Sequence, residues 1–256
     1  MPSTQELRRV RAARHPLALF GFLAFALACA ATFLQAQAQQ APAQGRGQAA
    51  QQQAAGQGRG QAATQAQLAQ FADEAARLFE LLELRPGMTI AEVGAGRGEM
   101  TVEMSKRLGP NGRVYSTELD PARLTEIGEA VSRERLTNVT VITAGERVSN
   151  LPASCCDAIF MRDVYHHFTF PDEYDRSLVA ALKPGGRLVV IDFEPMPGSA
   201  VPEGVPANRG GHGVPPNVIV DEMKAAGLTP VRTIPGWTDL RANRQMFLVL
   251  VRKPGS

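Results

Sequence analysis

From Thr89 onward the chain alternates short apolar runs with amphipathic stretches of ten or more residues, and this alternation limits the possible folds more than any other feature. The apolar runs are Thr89 to Val93, Arg113 to Glu118, Val139 to Thr143, Asp157 to Arg162, Arg187 to Phe193, Leu228 to Ile234 and Gln245 to Arg252. Helical stretches lie between them at Glu99 to Leu108, Pro121 to Arg133, Asp172 to Leu182 and Pro216 to Ala226. Parallel strands need long crossovers, so the pattern predicts a mainly parallel sheet with helices on both faces. Only the loop Pro235 to Arg244 separates the last two runs, which should therefore pair antiparallel. The expected fold is α/β, a doubly wound, mainly parallel seven-stranded sheet with one inverted edge strand. Ahead of it, Leu68, Phe71, Ala75, Leu78, Phe79 and Leu82 share one helical face that stops before Arg85-Pro86-Gly87.

The alternation leaves out the first quarter of the 256 residues. Arg8, Arg9, Arg11 and Arg14 precede an uncharged run of 18 residues, Leu17 to Leu34, and Ala36-Gln37-Ala38 then offers small residues at a signal-peptidase spacing. Residues 1–38 read as a signal peptide or as an N-terminal anchor, with residues 17–34 long enough to attach the chain to a membrane. Residues 39–67 are nearly all Gln, Ala and Gly, with QGRGQAA at Gln44 to Ala50 and again at Gln57 to Ala63. So little branched or aromatic surface predicts a disordered tether. The folded domain is expected at 68–256. A net charge of +2 points to no polyanionic partner, and no nucleic acid is expected. Cys29, Cys155 and Cys156 form no disulfide framework or metal spacing, and the adjacent pair is expected to be buried.

In doubly wound sheets, ligands sit beyond the carboxyl ends of the strands, where the strand order reverses. The first of these ends carries IAEVGAGRG, in which Gly94, Gly96 and Gly98 make a G-x-G-x-G turn. A dinucleotide fingerprint would place its third glycine one residue later, and Glu99 at that position would sit poorly beside a pyrophosphate. Glu118 ends the second strand, where a carboxylate can accept from both hydroxyls of a ribose. Gly145 and Glu146 follow the third, Arg162-Asp163-Val164-Tyr165-His166-His167 the fourth, and Asp192 and Glu194 close the fifth. A Gly/Pro-rich loop from Pro195 to Pro216 carries His212.

IAEVGAGRG, VYSTELDP, LPASCCDAIFMRDVYHHF and LKPGGRLVVID occur in an order and spacing that resemble the class I S-adenosylmethionine-dependent methyltransferases, and the likeness runs from about Leu68 to Lys253. The resemblance implies that Gly94, Ala95, Gly96 and Gly98 pass under the methionine part of S-adenosylmethionine. It implies that Glu92 fixes this turn and the cofactor's amino group, Glu118 holds the ribose, Leu119 touches the adenine ring and Glu146 lies near its amino group. In LKPGG, Pro184-Gly185-Gly186 is expected to make the turn that ends a helix and feeds the fifth strand.

The sulfonium already activates the methyl group. The protein has to line up the acceptor and, for an O or N acceptor, receive its proton. His166 and His167, with Asp163 beside them, are the candidate catalytic groups; Tyr165 and His212 are the candidate contacts to a small-molecule substrate. No metal site is expected, because the histidines lack an i, i+4 pair and have no cysteine partners. The arginine-led leader predicts an exported or membrane-anchored domain on the periplasmic side, an address that conflicts with a cofactor made in the cytoplasm. A methyltransferase-like binding domain without catalysis is therefore the alternative.

Overall fold

A computed structural model describes residues 63–240 and 244–255, and side chains outside 239–244 within them. The expected leader and residues 39–62 of the expected tether lie outside the described residues, whereas Gln65 to Gln67, assigned to that tether, are helical. Among the described residues no helix is long and apolar enough to cross a membrane.

Among the described residues the first helix, α1 (Gln65–Leu81), begins a turn earlier than the apolar stripe suggests, because Thr64 and Gln67 form a reciprocal capping box. The chain then runs β1 (Thr89–Val93), α2 (Glu99–Leu108), β2 (Arg113–Glu118), α3 (Pro121–Arg133) and β3 (Val139–Thr143). It continues with β4 (Cys156–Arg162), α4 (Pro171–Ala181), β5 (Leu182–Phe193), α5 (Pro216–Ala225), β6 (Thr229–Leu240) and β7 (Arg244–Arg252). The sheet order is β3-β2-β1-β4-β5-β7-β6, so the switch point falls between β1 and β4. β1 pairs in parallel with both β2 and β4.

Alternate residues of the central strands supply two cores. Ala91, Val93, Ile159, Met161, Leu188 and Val190 face one way, against Tyr174 and Leu178 of α4 and Ile219 and Met223 of α5. Ile90, Ala158, Phe160, Val189 and Ile191 face the other, against Ala75 and Leu78 of α1 and Met100, Met104 and Leu108 of α2. The continuous apolar strands anticipated a sheet covered on both faces, and this is what the packing shows.

Four expectations need correction. The inverted strand, β7, is not at the edge: it pairs antiparallel with β5 and with β6, and β6 forms the edge. The hairpin is also longer than expected, since β6 runs through Pro235-Gly236-Trp237 by a register shift between Ile234 and Thr238. LKPGG is an irregularity within β5, not a turn before it, with the register against β4 shifting between Cys156 and Ala158. Gly185 takes φ +76°, and a Cβ on Gly186 would lie 2.9 Å from the Lys183 carbonyl, so glycines absorb the irregularity. Finally, Cys155 and Cys156 are joined to each other by a disulfide, and only Cys156 is fully buried. A framework needs cysteines spaced along the chain, so adjacency escaped that reading.

Candidate active site

The three glycines after β1 all have positive φ, but they answer to different neighbours. A Cβ on Gly94 would sit 2.6 Å from a methyl of Val164, so this glycine admits the chain that follows β4. A Cβ on Gly98 would touch Ile127 of α3 at 3.4 Å. Only Gly96, at φ +58°, has nothing within 4 Å of that position: its backbone faces open space at the switch point. Its N–H donates to Glu118 Oε2 at 2.9 Å, while Glu118 Oε1 accepts from the N–H groups of Leu119 (2.7 Å) and Asp120 (3.3 Å). Glu118 thus clamps the glycine turn, and Oε2 keeps a second lone pair for a ligand hydroxyl. Ala95 is buried and donates its N–H to Thr117 O at 3.0 Å, which ties the turn to β2.

Beneath the turn, Glu92 is buried and accepts a hydrogen bond from Thr101 in the first turn of α2; Thr101 in turn meets Ser116 Oγ at 2.8 Å. Burial raises the Glu92 carboxyl from 4.5 to about 8, with the Thr101 hydrogen bond opposing the shift. Leu119 is 52% exposed and Val148 is 41% exposed at the ends of neighbouring strands. Val148 was not foreseen; its carbonyl accepts from Gly145 N–H at 2.8 Å, beside the Ala144 N–H bond to Glu118 O. Glu146 is exposed in the same loop.

On the β4 side, a 3-10 turn (Tyr165–His167) follows Asp163, which adopts φ +59° and donates its N–H to Ile191 O at 2.8 Å. His166 is buried, and its Nδ1 lies 2.8 Å from Asp192 Oδ1; Asp192 also accepts from the His166 and Phe193 backbone N–H groups. With Asp192 as acceptor, Nδ1 carries the hydrogen, and in the neutral form of the ring Nε2 presents a lone pair. The ring centroid of His167 lies 4.0 Å from that of His166, and His212 lies 5.0 and 5.5 Å from the two. Burial, then the neighbouring His166 and His212, lower His167 to about 4. The structure therefore gathers His166, His167, His212 and Asp163 and adds Asp192 as a partner; its place at the end of β5 was the sequence signal for it.

Tyr165 does not belong to this group. It is fully buried, and its hydroxyl lies 2.8 Å from both Asp175 Oδ2 and Glu222 Oε2, beneath α4 and α5. The 3-10 turn sends successive side chains in different directions, and Tyr165 takes the core-facing one. One hydroxyl hydrogen cannot serve two carboxylates, so one carboxyl must bring its own; burial raises Asp175 to about 7. Arg209, also buried, donates to Glu222 Oε1 at 2.9 Å.

Another unforeseen feature ties α1 to the sheet. Glu74 is buried and accepts from Arg162 Nε at 2.9 Å and from Trp237 Nε1 at 3.0 Å, while Arg77 stacks 3.8 Å above the Trp237 ring. A polar hollow lined by Thr89, Asn111, Arg113 and Asn138 lies at the amino ends of β1 to β3, away from the switch point.

Residues 91–190 match the family described as "Methyltransferase domain". The chain is 31% identical over 129 residues to a ubiquinone/menaquinone biosynthesis C-methyltransferase UbiE of Bordetella avium, a match covering 43% of each chain. The chain thus spans less than half the length of such relatives. A methyltransferase structure from Aquifex aeolicus, named as S-adenosylmethionine-dependent, is similar with a TM-score of 0.57 and 24% identity, covering 70% of this chain and 88% of that one. A Haemonchus contortus phosphoethanolamine N-methyltransferase 2, solved with S-adenosyl-L-methionine, is similar with a TM-score of 0.57 and 15% identity, covering 71% of this chain and 52% of that one. Residues 91–190 match a methyltransferase domain, and the sheet that carries them shares its fold with the Aquifex aeolicus methyltransferase.

Proposed function

We propose that the chain transfers a methyl group from S-adenosylmethionine to a small-molecule acceptor. The cofactor is S-adenosylmethionine, and the observation that carries this reading is the Gly96 turn, open above and clamped by Glu118 from the neighbouring strand. Bound there, the cofactor supplies a methyl on a sulfonium. Glu118 would hold the ribose, Leu119 and Val148 would flank the adenine, and Glu146 would lie near its amino group. Glu92, through Thr101, fixes the start of α2 under the methionine part. On the acceptor side, His166, His167 and His212 offer nitrogen lone pairs, groups that take an acceptor's proton or hold the acceptor through an ion, with Asp163 beside them.

Four arginines before an uncharged run support an exported or membrane-anchored address. That address favours the second reading, a domain that binds the cofactor without turnover. A topology reporter fused after Ser256 tests the address. Calorimetric titration of S-adenosylhomocysteine into the full chain, beside Glu118→Ala, tests the site: binding lost in the variant supports it, and no binding by the unaltered chain overturns it. Methyl transfer from labelled S-adenosylmethionine to an acceptor panel separates the two readings.

A further inference from the structure

Three of the chain's four histidines meet at one point, although two stand after β4 and the third lies more than forty residues later in the 195–216 loop. We propose that His166, His167 and His212 form a binding site for one divalent transition-metal ion of the zinc, cobalt or nickel kind, with a coordination position left open toward the methyl-transfer cleft.

The geometry carries the argument. One nitrogen from each ring lies within 4.8 Å of the other two. A tetrahedral ion with ordinary metal–imidazole bonds would hold them roughly 3.3 Å apart, a contraction that small rotations of the rings supply. His166 is already oriented as a metal ligand would be: Nδ1 is engaged by a buried carboxylate, Asp192, and Nε2 is left to bind. His212 is placed by main-chain bonds, its N–H donating to Ser199 Oγ at 2.7 Å and its carbonyl accepting from Met196 N–H at 3.0 Å. Gly213 at φ +128° lets this loop pass so close to Glu194 that a Cβ would lie 2.7 Å from its carbonyl.

Access falls off in the right order, with His167 the most open of the three though partly covered, His212 half-buried and His166 buried, so the ion would be held from below and reached from the cleft. Three imidazoles leave a fourth position for solvent or an acceptor oxygen. Nitrogen donors suit zinc, cobalt, nickel or copper and disfavour magnesium and calcium. Asp163, His166 and Asp192 also converge, but an ion there would compete for the Asp192 oxygens that hold His166. The three-histidine arrangement keeps those bonds. That the open position receives an acceptor rests on the methyl-transfer reading; the ion site itself does not.

The test uses the untagged full chain, stripped with a chelator and titrated with cobalt(II). One equivalent with a visible ligand-field band, displaced by zinc(II) and not by magnesium(II), is expected. His167→Ala and His212→Ala should each weaken cobalt binding at least tenfold while circular dichroism stays unchanged, and Asp192→Asn should weaken it about 10- to 100-fold. His15→Ala, removing the remaining histidine, should leave it unaltered. No band in the unaltered chain, or unchanged affinity in His212→Ala, overturns the site. Parallel calorimetry with S-adenosylhomocysteine separates the failures: cofactor binding without cobalt binding sinks the metal site alone, and cobalt binding without cofactor binding sinks the methyl-transfer reading alone.

Discussion

Replacing Gly96 by alanine should separate what this glycine does for folding from what it does for the ligand. Its φ of +58° lies in the left-handed region, which costs a non-glycine residue about 1–2 kcal/mol. Lower entropy of the unfolded chain returns about 0.4–1 kcal/mol of that. No atom lies within 4 Å of the added carbon, so no clash adds to the cost. The net loss of stability is about 1 kcal/mol, a fall in Tm of roughly 2–4 °C for a domain of this size. The same carbon projects into the space above the turn, where displacing a close-packed ligand should cost a further ~1–3 kcal/mol, or about 5- to 150-fold in Kd. Gly87→Ala is the matched control: φ is +89°, nothing lies within 4 Å, and the residue precedes β1 at the opposite end of the strand. Differential scanning calorimetry should find similar losses of Tm in the two variants, and titration with S-adenosylhomocysteine should find weakened binding only in Gly96→Ala. Equal affinities in both variants would refute the placement of the ligand over Gly96.

Three other outcomes follow from the buried polar groups. The Glu92 carboxyl rises from 4.5 unfolded to about 8 in the fold, so its contribution is complete below pH 4.5 and is lost as pH climbs through 8. Unfolding free energies from urea titrations at pH 6, 7 and 8 should fall by up to about 1.4 kcal/mol per unit, and Glu92→Gln should flatten the trend; an unchanged slope would contradict the burial argument. Tyr165→Phe leaves Asp175 and Glu222 without their shared hydroxyl and should cost about 1–3 kcal/mol by urea unfolding, with S-adenosylhomocysteine affinity unchanged; a large loss of affinity would return Tyr165 to the cleft. Glu74→Ala strands Arg162 and the Trp237 indole and should cost about 3–5 kcal/mol in the same assay, whereas Glu74→Gln, which can still accept from the indole, should cost less.

The sheet could be read from the sequence because its central strands are apolar on both faces and its helices carry one stripe each, so period and length settle both. The glycine turn and Glu118 could be read because they end consecutive strands, and the strand-end rule brings such ends together. What escaped depends on three-dimensional direction. Tyr165 and His166 are neighbours in sequence, but one enters the core and the other faces Asp192, and no periodicity marks the parting in a three-residue turn. The Glu74–Arg162–Trp237 cluster joins residues 88 and 163 positions apart, contacts that no local pattern records. Pro235-Gly236 and Pro184-Gly185-Gly186 read as strand breakers, yet they are irregularities that the paired strands absorb. The position of β7 escaped because a hairpin pattern fixes its partner β6 but not the strand on its other side.

The place of β7 has a consequence for assembly. This strand follows all the others in sequence yet lies between β5 and β6, so β6 has no partner in the sheet until β7 arrives. Synthesis from the amino end therefore delivers the insertion that completes the sheet last, and both cores wait for it, since Phe247, Val249 and Val251 enter one and Met246, Leu248 and Leu250 the other. A nascent chain of this kind stays incomplete until its final strand emerges, and under an exported address that delay would keep it threadable during translocation.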